Sequence, residues 1–150
     1  MKITYIKSKD TETINVPELT EKVGNILNKY LDDNNELLFD SYIAGNRIEG
    51  VSEEAFLFMD EETTNNLINC YRDYNLLIEH KDITHEVKTE NCDLEEFKKI
   101  FYHNIRSECN IILLNNFLKR NMTSDDVLDK ISIHGYDYLN EHEKKIISNI

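Results

Sequence analysis

Residues that interrupt or cross-link a chain are scarce in this sequence of 150 residues, and each scarcity excludes a class of protein. One proline and four glycines leave no room for a flexible linker or a low-complexity region. Three cysteines without close pairing argue against a disulfide scaffold and favour reduced thiols. No apolar run reaches the 18 residues of a membrane span, and the first residues lack the apolar core of a signal peptide. We therefore predict one cytoplasmic domain over residues 1–150.

Basic residues are also scarce, and the resulting negative charge is unevenly distributed. The chain has 17 lysines and arginines against 29 acidic residues, a net charge of −12. Residues 17–65 alone carry a net charge of −9, whereas residues 91–121 carry +1. A surface of one sign repels nucleic acid and anionic membranes and attracts partners of the opposite sign. The predicted partner-binding residues are Asp32, Asp33, Glu36, Asp40, Glu49, Glu53, Glu54, Asp60, Glu61 and Glu62.

No catalytic or metal-binding motif accompanies the charge. The sequence has no glycine-rich phosphate loop, no Cys-x-x-Cys and no His-Glu-x-x-His. Cys92 lies between Glu90 and Asp93, whose negative charge disfavours a reactive thiolate. Residues 32–40 resemble a calcium loop in composition, but they contain no glycine and place Leu37 at a ligand position. We predict no enzyme activity, no cofactor and no metal site.

The first sixty residues predict a small α+β unit. Pro17 fits the first position of a helix, and apolar residues at helical spacing follow it. The apolar alternation predicts strands at 2–7, 11–16, 37–43 and 47–49, and the polar residues between the first two strands predict a hairpin turn. This β-β-α-β(-β) order is similar to that of ubiquitin-like β-grasp domains. We predict an α+β fold in which this β-rich unit over 1–60 shares its core with a helical part over 61–150.

The rest of the chain predicts mostly helices. We expect a helix at about 62–79, a short strand at 83–87, and helices at about 124–134 and 137–148. Capping-box pairs predict that helices start at Asp93, paired with Glu96, and at Thr123, paired with Asp126. Gly135 is expected to end the helix that starts at Thr123. Between Asp93 and Thr123 lies one long helix, or two with a break near Ser107. The residues expected on its buried face are Leu94, Phe97, Phe101, Ile105, Cys109, Ile112 and Phe117.

A short C-terminal pattern resembles a known motif. Within residues 125–149, the pattern consists of Val127-Leu128-Asp129-Lys130-Ile131, then Gly135-Tyr136-Asp137, then Leu139, Glu141, Glu143 and Lys144. It resembles the helical-hairpin motif "ILDKI…G…L…EEK" of Bacteroidetes rhomboid-family tails and of small immunity-like proteins. Tyr138 stands where the motif has a serine that would cap the second helix. The resemblance implies a bacterial α-hairpin without catalytic residues, and residues 1–120 resemble no known family.

Three hypotheses of function remain at this point. The first is a binding protein that neutralises a basic partner, such as an immunity protein against a toxin or nuclease. The second is a nucleic-acid mimic that inhibits a defence enzyme, with carboxylates at phosphate spacing. The third is a small enzyme whose site is assembled from scattered residues. Aromatics among the acids either anchor the partner or pack in the core: Phe39, Tyr42, Phe56 and Phe58. For Phe39 we expect the core.

Overall fold

The computed structural model describes residues 1–14 and 16–149, and the chain divides into two compact units. The first unit spans Met1–Asp82 and combines a sheet with helices, and the described part of the second, from Ile83 onward, is helical. This arrangement confirms the predicted α+β class with N-terminal strands and a helical C-terminal half. The boundary follows Asp82 because a helix and a strand beyond residue 60 belong to the first unit. The shared core of the two parts stays a prediction.

The helices and strands are as follows. The strands are β1 (Lys2–Lys9), β2 (Tyr42–Ile48), β3 (Ser52–Met59) and β4 (Leu77–Asp82). The helices are α1 (Pro17–Ile26), α2 (Glu61–Asp73), α3 (Thr84–Lys88), α4 (Glu95–Tyr102), α5 (Ser107–Asn121), α6 (Ser124–His134) and α7 (Glu141–Ser148).

The sheet has the order β2-β3-β1-β4, and every pairing in it is antiparallel. Strand β1 lies between β3 and β4, with Lys2 opposite Met59 and Lys9 opposite Ser52. This register determines which residues lie at each of the two ends of the sheet. We call the end with residues 8–12 and 47–54 the turn end, and the end with residues 29–40 and 59–62 the cap end.

The predicted hairpin between β1 and a strand at 11–16 is wrong. Thr11–Thr13 form a 3₁₀ turn, and position 15 lies outside the described residues. Both sides of β1 are already paired with strands that come later in the chain, so no neighbouring position is left for a local hairpin. The strand order therefore lacks the first hairpin on which the comparison with β-grasp domains rested.

Helices α1 and α2 cover one face of the sheet. Their core with that face comprises Ile6, Leu27, Ala55, Leu57, Met59, Leu67 and Ile68. Each large apolar side chain buried in this way contributes about 1.5–3 kcal/mol. On the other face of β1 and β3, Tyr5 and Phe56 are also buried, with ring centroids 5.5 Å apart. The central strands β1 and β3 of the sheet thus have buried side chains on both faces.

The second unit contains the C-terminal hairpin of α6 and α7. Thr123 and Asp126 form the predicted capping box, and Gly135 ends α6 with a φ of 86°. Asn140 caps α7 in a second capping box with Glu143, so the helix does not depend on position 138. Lys130 of α6 and Glu143 of α7 form a buried ion pair with an Nζ–Oε2 distance of 2.8 Å. Two residues of the sequence motif therefore link α6 to α7.

Other predictions in the helical region are partly wrong. The break near Ser107 is confirmed, since α4 and α5 are separate helices. Helix α4 begins at Glu95 with no side-chain cap, so the capping box at Asp93 is absent. Ile105, Cys109 and Ile112 are exposed and do not line the core, because the break changes which face each helix buries. The expected strand at 83–87 is α3, and the helix expected to reach 79 ends at Asp73 before β4.

Candidate functional site

The ten predicted partner-binding residues do not form one patch. Glu49, Glu53 and Glu54 lie at the turn end, and the other seven lie at the cap end. Glu53 and Asp60 are seven residues apart along β3 and its continuation, which corresponds to about 23 Å. A partner surface that meets one group therefore cannot contact the other without spanning the length of the sheet.

Asp60 at the cap end has a structural role. Its carboxylate caps α2 by accepting hydrogen bonds from the Thr63 N–H at 2.9 Å and the Thr63 hydroxyl. It also accepts a hydrogen bond from the Tyr30 hydroxyl at 2.7 Å and pairs with Lys29 at 3.0 Å. The Thr63 N–H, followed by the Tyr30 and Lys29 side chains, holds the pKa of Asp60 well below its usual range. Asp60 thus fixes the start of α2 beside residues 29–30 and has little capacity left for a partner.

The loop that follows Tyr30 is held by its own hydrogen bonds. Oδ1 of Asp32 accepts hydrogen bonds from the N–H groups of Asn34 at 2.8 Å and Glu36 at 3.0 Å. Leu31 and Leu37 form an antiparallel bridge across the loop. Because the backbone is fixed in this way, the exposed carboxylates of the loop have defined positions.

Phe39 is 78% exposed, so the prediction that it lies in the core is wrong. The chain turns between the Leu31–Leu37 bridge and β2, where Ser41 accepts a hydrogen bond from the Phe58 N–H, and Phe39 lies in that turn. Phe56 and Phe58 are buried and Tyr42 is partly buried. We define the cap-end surface as Asp32, Asp33, Glu36, Phe39, Glu61 and Glu62, all of them exposed. Asp40, beside Phe39, is only partly exposed.

An ion pair at the turn end between buried Asp10 and exposed Arg47 was not predicted. Asp10 accepts hydrogen bonds from Arg47 Nε at 3.0 Å and Nη2 at 2.9 Å, and from the Gly50 N–H at 2.8 Å. The hydrogen bond from Arg47, followed by that from Gly50, lowers the pKa of Asp10. Arg47 also pairs with Glu12 at 3.2 Å. This cluster ties the β2–β3 turn, including exposed Glu49, to the end of β1.

Glu53 and Glu54 point to opposite faces of β3, because successive side chains of a strand alternate. Glu54 accepts a hydrogen bond from the Tyr5 hydroxyl. Glu53 accepts hydrogen bonds from the hydroxyls of Thr11 and, at 3.5 Å, of Ser8. Both carboxylates are partly buried and already engaged within the first unit, so neither extends freely from the surface.

The cysteines and histidines are distributed over both units. None of the three cysteines forms a disulfide within the described residues; Cys70 is buried, Cys92 is partly buried and Cys109 is exposed. No group of three or more metal-ligating side chains occurs within the described part of the chain. Among the same residues, no helix combines the length and apolarity needed to span a bilayer.

Comparisons of the chain with protein-family models, with curated proteins and with solved structures give no match.

Proposed function

We propose that this chain is a cytoplasmic bacterial protein that binds and neutralises a basic protein partner through the cap-end surface. In this proposal it acts as a toxin-immunity protein and not as an enzyme. The exposure of Phe39 among carboxylates carries the proposal. An exposed aromatic ring gains hydrophobic free energy when a partner covers it, and such rings frequently anchor interfaces. Surrounding carboxylates increase the rate at which a basic protein is captured.

The fixed shape of the surface supports this proposal. The Asp32 hydrogen bonds and the Leu31–Leu37 bridge order the loop, and Asp60 fixes the start of α2 with exposed Glu61 and Glu62. A preordered surface loses less conformational entropy on binding than a flexible one. Asp33, Glu36, Glu61 and Glu62 form no ion pair with other described residues, so their charge is available to a partner.

The same geometry favours a local protein epitope over a nucleic-acid mimic. A mimic requires a continuous row of carboxylates that follows a phosphate backbone. Here the two acidic groups are about 23 Å apart along the sheet, and Glu53, Glu54 and Asp60 are engaged in internal hydrogen bonds.

The test begins with affinity capture from lysate of the source cells on the native chain. The basic protein that the native chain retains is then purified. Binding kinetics and the partner's activity are then measured. We expect Phe39→Ala to increase the dissociation rate and weaken binding about 30-fold, as for an interface anchor worth about 2 kcal/mol. We expect the double variant Asp33→Lys/Glu36→Lys to slow association at low salt by about 10-fold or more.

The matched control is the double variant Glu79→Lys/Asp129→Lys, which makes the same change in net charge at exposed positions outside the cap-end surface. It should keep most of the association rate. If the partner binds Phe39→Ala and Asp33→Lys/Glu36→Lys as fast and as tightly as the native chain, the cap-end surface is not the binding site.

A further inference from the structure

The first unit contains a cavity of about 230 Å³ between its helices and the sheet. The walls are largely apolar and include Ile6 of β1, Val23 of α1, Leu57 of β3 and Leu67 of α2. An apolar cavity of about 150 Å³ is enough to bind benzene. In proportion, this cavity has room for a ligand of about nine non-hydrogen atoms. Its size therefore suits a small molecule and not a folded partner.

Three polar groups with unused hydrogen-bonding capacity line this apolar space. Both hydrogen bonds to Glu53 reach Oε1, and Oε2 accepts none from the described residues. The hydroxyls of Tyr42 and Tyr71, which also line the cavity, form no hydrogen bond with those residues. No fully buried side-chain nitrogen or oxygen in the described chain lacks a partner, so these atoms are open to solvent or to a ligand.

The charge of the cavity is negative. Its charged lining residues are acidic, and no lysine, arginine or histidine lines it within the described part of the chain. Glu12 is compensated by Arg47 at 3.2 Å, and the Glu54 carboxylate accepts a hydrogen bond from Tyr5 on the other face of β3. Glu53 is therefore the main uncompensated charge of the apolar space. Burial, followed by the charge of Glu53, raises the pKa of both Tyr42 and Tyr71, so both hydroxyls stay neutral at pH 7. A neutral or anionic ligand would leave Glu53 unpaired on being covered, which is unfavourable.

We propose that this cavity binds a small primary amine with a compact apolar body. The ammonium group pairs with Oε2 of Glu53 near the hydroxyls of Tyr42 and Tyr71, and the apolar body fills the space between α1, α2 and the sheet. Three N–H donors of an ammonium group match one carboxylate oxygen and two hydroxyl oxygens. Leu37, in the loop of the cap-end surface, lines the cavity, but none of the residues that define that surface does. The proposal does not depend on the protein partner proposed above.

The test is to titrate the isotope-labelled full chain separately with benzylamine, n-pentylamine, benzyl alcohol and benzoate. Binding is monitored through the amide chemical shifts in NMR spectra. We expect saturable shifts at residues of the cavity with a Kd below about 1 mM for at least one amine. Benzyl alcohol should bind at least about tenfold more weakly than benzylamine, because a charge-assisted hydrogen bond is lost. Benzoate should not bind.

Glu53→Gln should weaken amine binding by about tenfold or more. Glu49→Gln removes the same charge at an exposed position of the β2–β3 turn and should leave amine binding unchanged. Tyr71→Phe removes only a hydroxyl and leaves the charge and the apolar volume of the cavity unchanged. It should weaken amine binding about threefold or more. This variant provides the test if Glu53→Gln does not fold. The proposal is overturned if neither amine gives saturable shifts, if benzyl alcohol binds as tightly as benzylamine, or if the folded Glu53 and Tyr71 variants bind like the native chain.

Discussion

Lys130 and Glu143 are the residues whose individual energetic role is clearest. Both side chains are 5% exposed, and Nζ of Lys130 lies 3.0 and 2.8 Å from the two carboxylate oxygens. Oε1 of Glu143 also accepts a hydrogen bond from the Asn140 N–H at 3.0 Å. A buried pair with full hydrogen bonding is close to neutral overall, but a single buried charge left without its partner is strongly unfavourable.

Lys130→Met should therefore destabilise the protein by about 3–5 kcal/mol. The double variant Lys130→Met/Glu143→Leu should recover a substantial part of that loss, because no buried charge is left unpaired. Urea unfolding followed by circular dichroism gives the free energies of unfolding. Lys145→Met, at an exposed position of α7, is the control and should change stability by less than about 0.5 kcal/mol. If Lys130→Met and the native chain had equal free energies of unfolding, the ion pair would not contribute to stability.

Single residues also show why the candidate site was only partly predictable. Sequence indicates that carboxylates such as Asp33 and Glu36 favour the surface, and both are exposed. It does not show that Asp60 binds Tyr30 or that Glu53 binds Thr11, because both contacts join residues that are 30 or more positions apart. Phe39 was placed in the core because large aromatics are usually buried, and the turn before β2 overrides that tendency.

At the scale of elements, some local signals were reliable, whereas the pairing of the strands was not predicted. Helix α6 was predicted well because its cap at Thr123 and its end at Gly135 lie within the helix or next to it. The strand expected at 11–16 was wrong because its apparent partner, β1, pairs instead with β3 and β4. Strand order in a sheet depends on contacts between distant segments, which period-two alternation alone does not specify.

Two glycines on helices should respond in opposite directions to alanine. Gly135 ends α6 with a φ of 86°, and Gly24 lies within α1; neither site has an atom within 4 Å of an added Cβ. Gly135→Ala should destabilise by about 1 kcal/mol or more, because alanine is strained at this φ. Gly24→Ala should stabilise by about 0.4–1 kcal/mol through helix propensity and a less flexible unfolded chain. The melting temperatures of the two variants are compared with that of the native chain. Shifts of the same sign for both variants would contradict this assignment of backbone conformation.

For the whole molecule, the net charge of −12 opposes folding through self-repulsion. The ion pairs that salt could weaken are of two kinds. Lys130–Glu143 is buried and Asp10 is buried against Arg47, so both are weakly screened. Lys88–Asp126 is largely buried as well, whereas pairs on the surface, such as Lys22–Glu18, contribute little. Screening of repulsion should therefore outweigh screening of attraction.

We expect the melting temperature to rise as NaCl increases from 10 to 150 mM, since the Debye length falls from about 30 to about 8 Å over this range. The double variant Glu79→Lys/Asp129→Lys, with a net charge of −8, should show a smaller rise because less repulsion remains to be screened. Differential scanning calorimetry at constant pH measures both. A melting temperature that falls with NaCl would mean that favourable surface ion pairs dominate the salt dependence. A rise that is equal in both proteins would mean that ion-specific effects dominate it. In either case, the excess of acidic residues would not destabilise the folded state.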